Sequence, residues 1–180
     1  MTFPLASRAR TLSRGARLLA LGLAIWAGAA SDARADNRVG GHFGAVFPLV
    51  TRLEGETITL GDDFNVGFPM GITIKTSDTI AFDLEIVPVL DPREDHAIGV
   101  PLTIHPGILK GLGNGWTLGG RMAFDINGAS WGFTPLLNKG FPSGNLTYFV
   151  EAVVPIRFVD DVFGDTHTAI GFGVHVGVGF

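Results

Sequence analysis

The chain has 180 residues, 46% of them hydrophobic and 17% charged, with 26 glycines, ten prolines, no cysteine and a formal net charge of −4. The absence of cysteine excludes a disulfide framework, thiolate metal sites and cysteine nucleophiles, and the acidic balance makes a poor partner for nucleic acid. Mean hydropathy is positive, yet after residue 35 no apolar run reaches the 18 residues that a helical membrane span needs.

In chain order, the first segment reads as an export leader. Arg8, Arg10, Arg14 and Arg17 form a basic region, Leu18 to Ala30 an apolar one too short to span, and Ala33-Arg34-Ala35 an A-x-A cleavage site. Cleavage before Asp36 is expected, with Ala27-Gly28-Ala29 as the second choice and a retained short anchor as the alternative. Residues 36–180 then form one domain of 145 residues, with eight basic and sixteen acidic residues and a formal charge of −8. No cysteine is available for lipidation.

The rest alternates with a period of two, the mark of β-strands with one apolar face. Strand one is predicted at Asn37 to Val50, followed by a polar loop, Thr51 to Asp63. Strand two, Phe64 to Lys75, sets Phe64, Val66, Phe68, Met70, Ile72 and Ile74 on one face, and Thr76-Ser77-Asp78 turns the chain. Strand three runs Thr79 to Leu90 with Asp83 and Glu85 sharing the polar face. A loop, 91–96, leads to strand four, Ala97 to Ile108, and 110–115 (KGLGNG) reads as a glycine-rich turn. Strand five is Trp116 to Asn127, strand six the short Trp131 to Leu137, and 138–144 (NKGFPSG) a turn by composition. Strand seven is Asn145 to Phe158, and after the loop 159–167 strand eight closes the chain from Thr168 to Phe180.

Eight such segments predict an all-β fold, an eight-stranded antiparallel transmembrane β-barrel. An even count puts both ends of the domain on the same, periplasmic, side. Loops 51–63, 91–96, 128–130 and 159–167 then face outward, and three of them hold ten acids: Glu54, Glu56, Asp62, Asp63, Asp91, Glu94, Asp95, Asp160, Asp161 and Asp165. These read as a solvated face. The functional alternative is divalent-cation bridging to lipopolysaccharide phosphates, for which carboxylates are suitable hard ligands. Trp116, Trp131, Phe43, Phe64, Tyr148, Phe158 and Phe180 fall near strand ends, as interfacial girdles do.

The alternation sends Asp83, Glu85, Asp125, Glu151, Arg121, Arg157 and His175 into the lumen, with Glu85, Arg121, Glu151 and His175 at similar depth. An eight-stranded interior is only just wide enough to be filled by its side chains, so a paired carboxylate–guanidinium network would plug it. Twelve inward glycines leave less volume than a packed interior wants, which admits a narrow water-filled path. Prolines inside strands delete ladder donors. Pro69 and Pro135, nearest the middle, predict β-bulges or a weakened seam for lateral exit of an apolar solute. No catalytic residue, metal site or cofactor is expected: Ser77, Ser130 and Ser143 lie in turns away from histidine, and His42, His105 and His175 point inward at different depths, with His105 not expected to converge on the others.

In the last strand Ile170, Phe172, Val174, Val176, Val178 and Phe180 alternate with small residues, and the chain ends on Phe. Val174, Val176, Val178 and Phe180 resemble the C-terminal assembly signal of bacterial outer-membrane barrels. The chain as a whole resembles the small opacity-type and outer-membrane protein X or W group. That resemblance implies a non-enzymatic outer-membrane protein of the Gram-negative envelope, exported through the inner membrane, with a structural or surface-interaction role. Its implied partners are outer-membrane lipids, lipopolysaccharide and the barrel assembly machinery. The alternatives are a narrow pore or lateral conduit for small hydrophobic molecules, and a soluble lipocalin-like barrel with the apolar face turned inward.

Overall fold

The computed structural model describes residues 38–90, 101–126, 128, 130–160 and 165–180. The predicted leader, the whole 91–96 loop with its acids, residues 97–100 of predicted strand four, and Asp161 lie outside the described residues.

Alternating apolar residues generate eleven strands: β1 (Arg38–Leu53), β2 (Glu56–Thr59), β3 (Val66–Gly67), β4 (Met70–Lys75), β5 (Ile80–Leu90), β6 (Leu102–Gly113), β7 (Trp116–Asp125), β8 (Ser130–Ser143), β9 (Leu146–Val153), β10 (Ile156–Asp160) and β11 (Thr166–Gly179). β3 and β4 continue one another, as do β9 and β10, and β2 folds back on the end of β1. Eight antiparallel staves therefore form a ring, closed where β11 pairs with β1 from His42↔Gly179 to Leu53↔Ala169. Closure extends to the last residue, since Gly41 and Phe180 exchange both backbone hydrogen bonds at 2.9 Å. Each of the eight staves is thereby paired on both sides, and the short β2 pairs with β1.

Strand alternation fixes which face is greasy. Along β8 the adjacent Leu136 and Leu137 are 3% and 41% exposed, the first in the lumen and the second outside. Ile170, Phe172 and Val176 of β11 and the terminal Phe180 lie outside, while His175 is buried within. The large apolar residues thus cover the outside and the charged ones fill the inside, the reverse of a water-soluble barrel. Outer aromatics gather toward both ends: Tyr148 pairs with Phe141 near one, and Trp131 pairs with Phe124 and Phe158 near the other. Lys139, facing outward on β8, places its ammonium 5.1 Å from the Trp116 ring, a snorkelling position.

Three predicted boundaries change. The polar stretch 51–63 contains the end of β1 and all of β2, joined through Glu54 and Gly55 at φ 52° and 90°, a type I′ hairpin turn. β6 runs through most of the glycine-rich 110–115, because Asn114-Gly115 alone, at φ 51° and 77°, makes the two-residue I′ turn. β8 is fourteen residues long, not the shortest strand. Its Asn138 to Ser143 have turn composition but pair along β9, leaving only Gly144 and Asn145 to turn.

The prolines also differ from expectation. Among the described residues the ladder shifts register only between Pro48 and Val50 and between Gly111 and Gly113. Val46↔Gly67 and Phe43↔Met70 share one register across Pro69, and Phe133↔Ile156 and Leu136↔Val153 share one across Pro135. The bulges expected at Pro69 and Pro135 are therefore absent. Each proline still accepts across its seam, from Gly44 N at 2.9 Å and Val154 N at 3.0 Å, and only the return bond is lost, since proline has no N–H.

Candidate functional site in the barrel lumen

Register builds the site. His42 pairs with Gly71, Gly71 with Glu85, and Glu85 with His105, so four neighbouring staves set these residues in one inward-facing line. A Cβ on Gly71 would overlap the His42 ring and meet the Leu84 carbonyl oxygen at 2.8 Å. The bare glycine is what lets the imidazole cross to Glu85, with Nε2 3.0 Å from Oε2. His105 Nδ1 approaches Glu85 Oε1 from the other side at 3.4 Å.

The next line repeats the device. Thr73 pairs with Asp83, Asp83 with Gly107, and Gly107 with Arg121. The Arg121 stem crosses over Gly107, where a Cβ would come within 2.5 Å of its Cγ. Its Nε donates to Asp83 Oδ2 at 2.8 Å, and the Thr73 hydroxyl donates to Asp83 Oδ1 at 2.6 Å. Across the lumen, Arg121 Nη1 donates to Glu151 Oε1 at 2.8 Å, while Nη2 lies 3.5 Å from Glu85 Oε2. Glu151 also meets His175 Nδ1 at 3.2 Å and accepts from Asn138 Nδ2 at 3.3 Å. One guanidinium thus ties three carboxylates together, and Asp83, Glu85, Arg121, Glu151 and His175 are all buried.

Of the residues that alternation sends inward, Asp125 and Arg157 stay apart from this cluster. Asp125 accepts from the Ser130 hydroxyl, and Arg157 Nη1 donates to Thr134 Oγ1 at 3.0 Å. Conversely His42, His105, Thr73 and Asn138 join it. His42 and His175 approach one another, with ring centroids 6.3 Å apart, while His105 meets the cluster at Glu85, where the Glu85↔His105 pairing puts it beside the carboxylate. The inward parity of His42 and His105 is visible in the sequence, but their depth depends on a register that it does not display. The inward glycines do not simply leave space either. Gly44 lies beneath His175, Gly71 beneath His42, Gly107 beneath Arg121 and Gly177 beneath Phe149. Val87, Leu136, Phe149 and Val153 fill lumen volume around the charges. Toward the end where the chain terminates, a recess of about 400 Å³ opens, lined by residues that include Thr73, Lys75, Thr147 and Phe180.

Fold and lumen define a class: a closed eight-stranded antiparallel barrel, apolar outside, with a paired charge network inside. No family model matches the chain, and no curated protein does. Among solved structures, it is similar to the crystal structure of the outer membrane protein OprG from Pseudomonas aeruginosa, at 11% identity and a TM-score of 0.37, over 78% of this chain and 92% of that one.

Proposed function

We propose that the chain is a non-enzymatic integral protein of the Gram-negative outer membrane, with a structural or surface-interaction role and a lumen closed by its charge network. The observation that carries this reading is the inverted surface. Leu84, Leu118, Leu137, Val150, Ile170 and Phe172 stand 37–50% exposed around a sheet whose buried groups include three carboxylates and a guanidinium. Water would penalise that outer surface, whereas lipid solvates it and tolerates only a sheet closed on itself. A soluble lipocalin-like barrel requires the opposite arrangement. Export through the inner membrane by a cleaved leader, and recognition of Val174, Val176, Val178 and Phe180 by the barrel assembly machinery, belong to the same proposal. So does contact of the loop acids with lipopolysaccharide. Some of those acids are engaged within their own loops: Asp62 accepts from Thr59 N and Oγ1 at 2.9 and 2.7 Å, and Glu54 pairs with His167.

A narrow pore or lateral conduit for small hydrophobic molecules is the second reading, favoured by the one-sided bonds at Pro69 and Pro135. Fractionation of the native host tests the first reading. It predicts the protein in the outer-membrane fraction, extracted only by detergent and migrating differently before and after boiling. A detergent-free periplasmic protein with unchanged migration would refute it. Conductance or uptake that changes in Glu85→Gln, Arg121→Met or Pro69→Ala would favour the conduit.

A further inference from the structure

Among the described residues the lumen buries Asp83, Glu85 and Glu151 against the single cation Arg121, an excess of two negative charges in a low-dielectric interior that penalises unpaired ions. We propose that a divalent transition-metal ion of the zinc or cobalt kind neutralises this excess, ligated by His42, Asp83 and Glu85. One potential ligand atom from each of these residues lies within 4.8 Å of the others. The 3.0 Å between His42 Nε2 and Glu85 Oε2 is close to the roughly 3.3 Å separating two tetrahedral ligands at about 2.0 Å from one ion. One imidazole and two carboxylates form a nitrogen–oxygen donor set suited to zinc or cobalt.

The surroundings support the same assignment. Asp83 is oriented by the Thr73 hydroxyl and Arg121 Nε, as carboxylate ligands commonly are by an outer shell of hydrogen bonds. His105 holds a second imidazole against Glu85. Thr73, which donates to Asp83, also lines the recess at the chain-terminal mouth. The His42 ring faces both carboxylates, since its Nδ1 also lies 3.8 Å from Asp83 Oδ1.

The test uses the full chain without a polyhistidine tag, folded in detergent, stripped with chelator and titrated with Co²⁺ and then Zn²⁺. Expected are one equivalent of bound Co²⁺ with the visible bands of a low-coordinate site, displacement by Zn²⁺, and selective broadening of the Gly71 and Glu85 amide resonances. His42→Gln and Asp83→Asn, with closure verified by heat-modifiable migration, should each weaken binding by at least about tenfold. His167→Gln, at the exposed pair with Glu54, should leave it intact. No stoichiometric binding, aquo-like Co²⁺ bands, binding unaltered by His42→Gln in a closed barrel, or loss with His167→Gln would each overturn the proposal. Should His42→Gln fail to close, the wild-type bands and amide broadening decide it alone.

Discussion

Arg121 Nη1 donates to Glu151 Oε1 at 2.8 Å across the lumen, joining β7 to β9 through side chains alone. The same guanidinium holds Asp83, so Arg121→Met leaves three buried carboxylates without their cation. Removing one partner from a buried ion pair costs about 3–5 kcal/mol. Denaturant unfolding of the detergent-folded barrel should show a loss of that size. A loss below about 1 kcal/mol would mean that water, rather than Arg121, solvates the carboxylates.

Leu84, outward on β5 between Ile72 and Pro106, tests what surrounds the barrel. An arginine facing lipid near the bilayer midplane costs about 2–4 kcal/mol, whereas an exposed surface substitution in water stays within about 0.5 kcal/mol. Leu84→Arg, measured by unfolding from lipid vesicles, is expected in the first range.

Gly107→Val examines the glycine device. Its Cβ would meet the Gly120 carbonyl oxygen at 2.7 Å as well as the Arg121 stem, and backbone cannot yield as a flexible side chain does. Overpacking of this kind costs about 1–3 kcal/mol. The variant should also lose coupling between Arg121 and Asp83 in a double-mutant cycle. Gly55→Val, where no atom lies within 4 Å of the added Cβ, should keep that coupling, although its positive φ strains the turn.

Pro135→Ala restores an N–H opposite Val154 without changing register. The gained hydrogen bond, about 0.5–1.5 kcal/mol, is offset by the lost chain restriction of proline, about 0.4–1 kcal/mol. Stability should therefore change by less than about 1 kcal/mol, and the new amide should be protected from exchange. Rapid exchange at residue 135 would instead indicate an open seam between β8 and β9/β10.

Strand number, facing and the inward set were readable because they depend on parity, which a strict period of two displays. The last strand shows this best: Ile170, Phe172 and Val176 face outward, while Gly171, Gly173 and His175 are buried. What parity cannot carry is register. His105 sits eight residues after Ala97, where strand four was expected to begin, and only its pairing with Glu85 fixes its depth. Composition misled where polar residues serve the ladder: Asn138 has the character of a turn residue yet donates to Glu151 from within β8. The glycines misled similarly. A residue without a side chain reads as empty volume, but Gly71 and Gly107 are occupied by the His42 and Arg121 side chains arriving from neighbouring staves.

The inverted surface is tested most directly by accessibility at adjacent residues of one strand. With no native cysteine in the sequence, single Leu136→Cys and Leu137→Cys variants can each carry one nitroxide label in lipid vesicles. Collision with lipid-dissolved oxygen should be high for the label at 137 and low at 136, and Val150→Cys and Val153→Cys should repeat the contrast on β9. High accessibility to a water-soluble quencher at 137 and 150, with no oxygen effect, would contradict a lipid-facing outer surface.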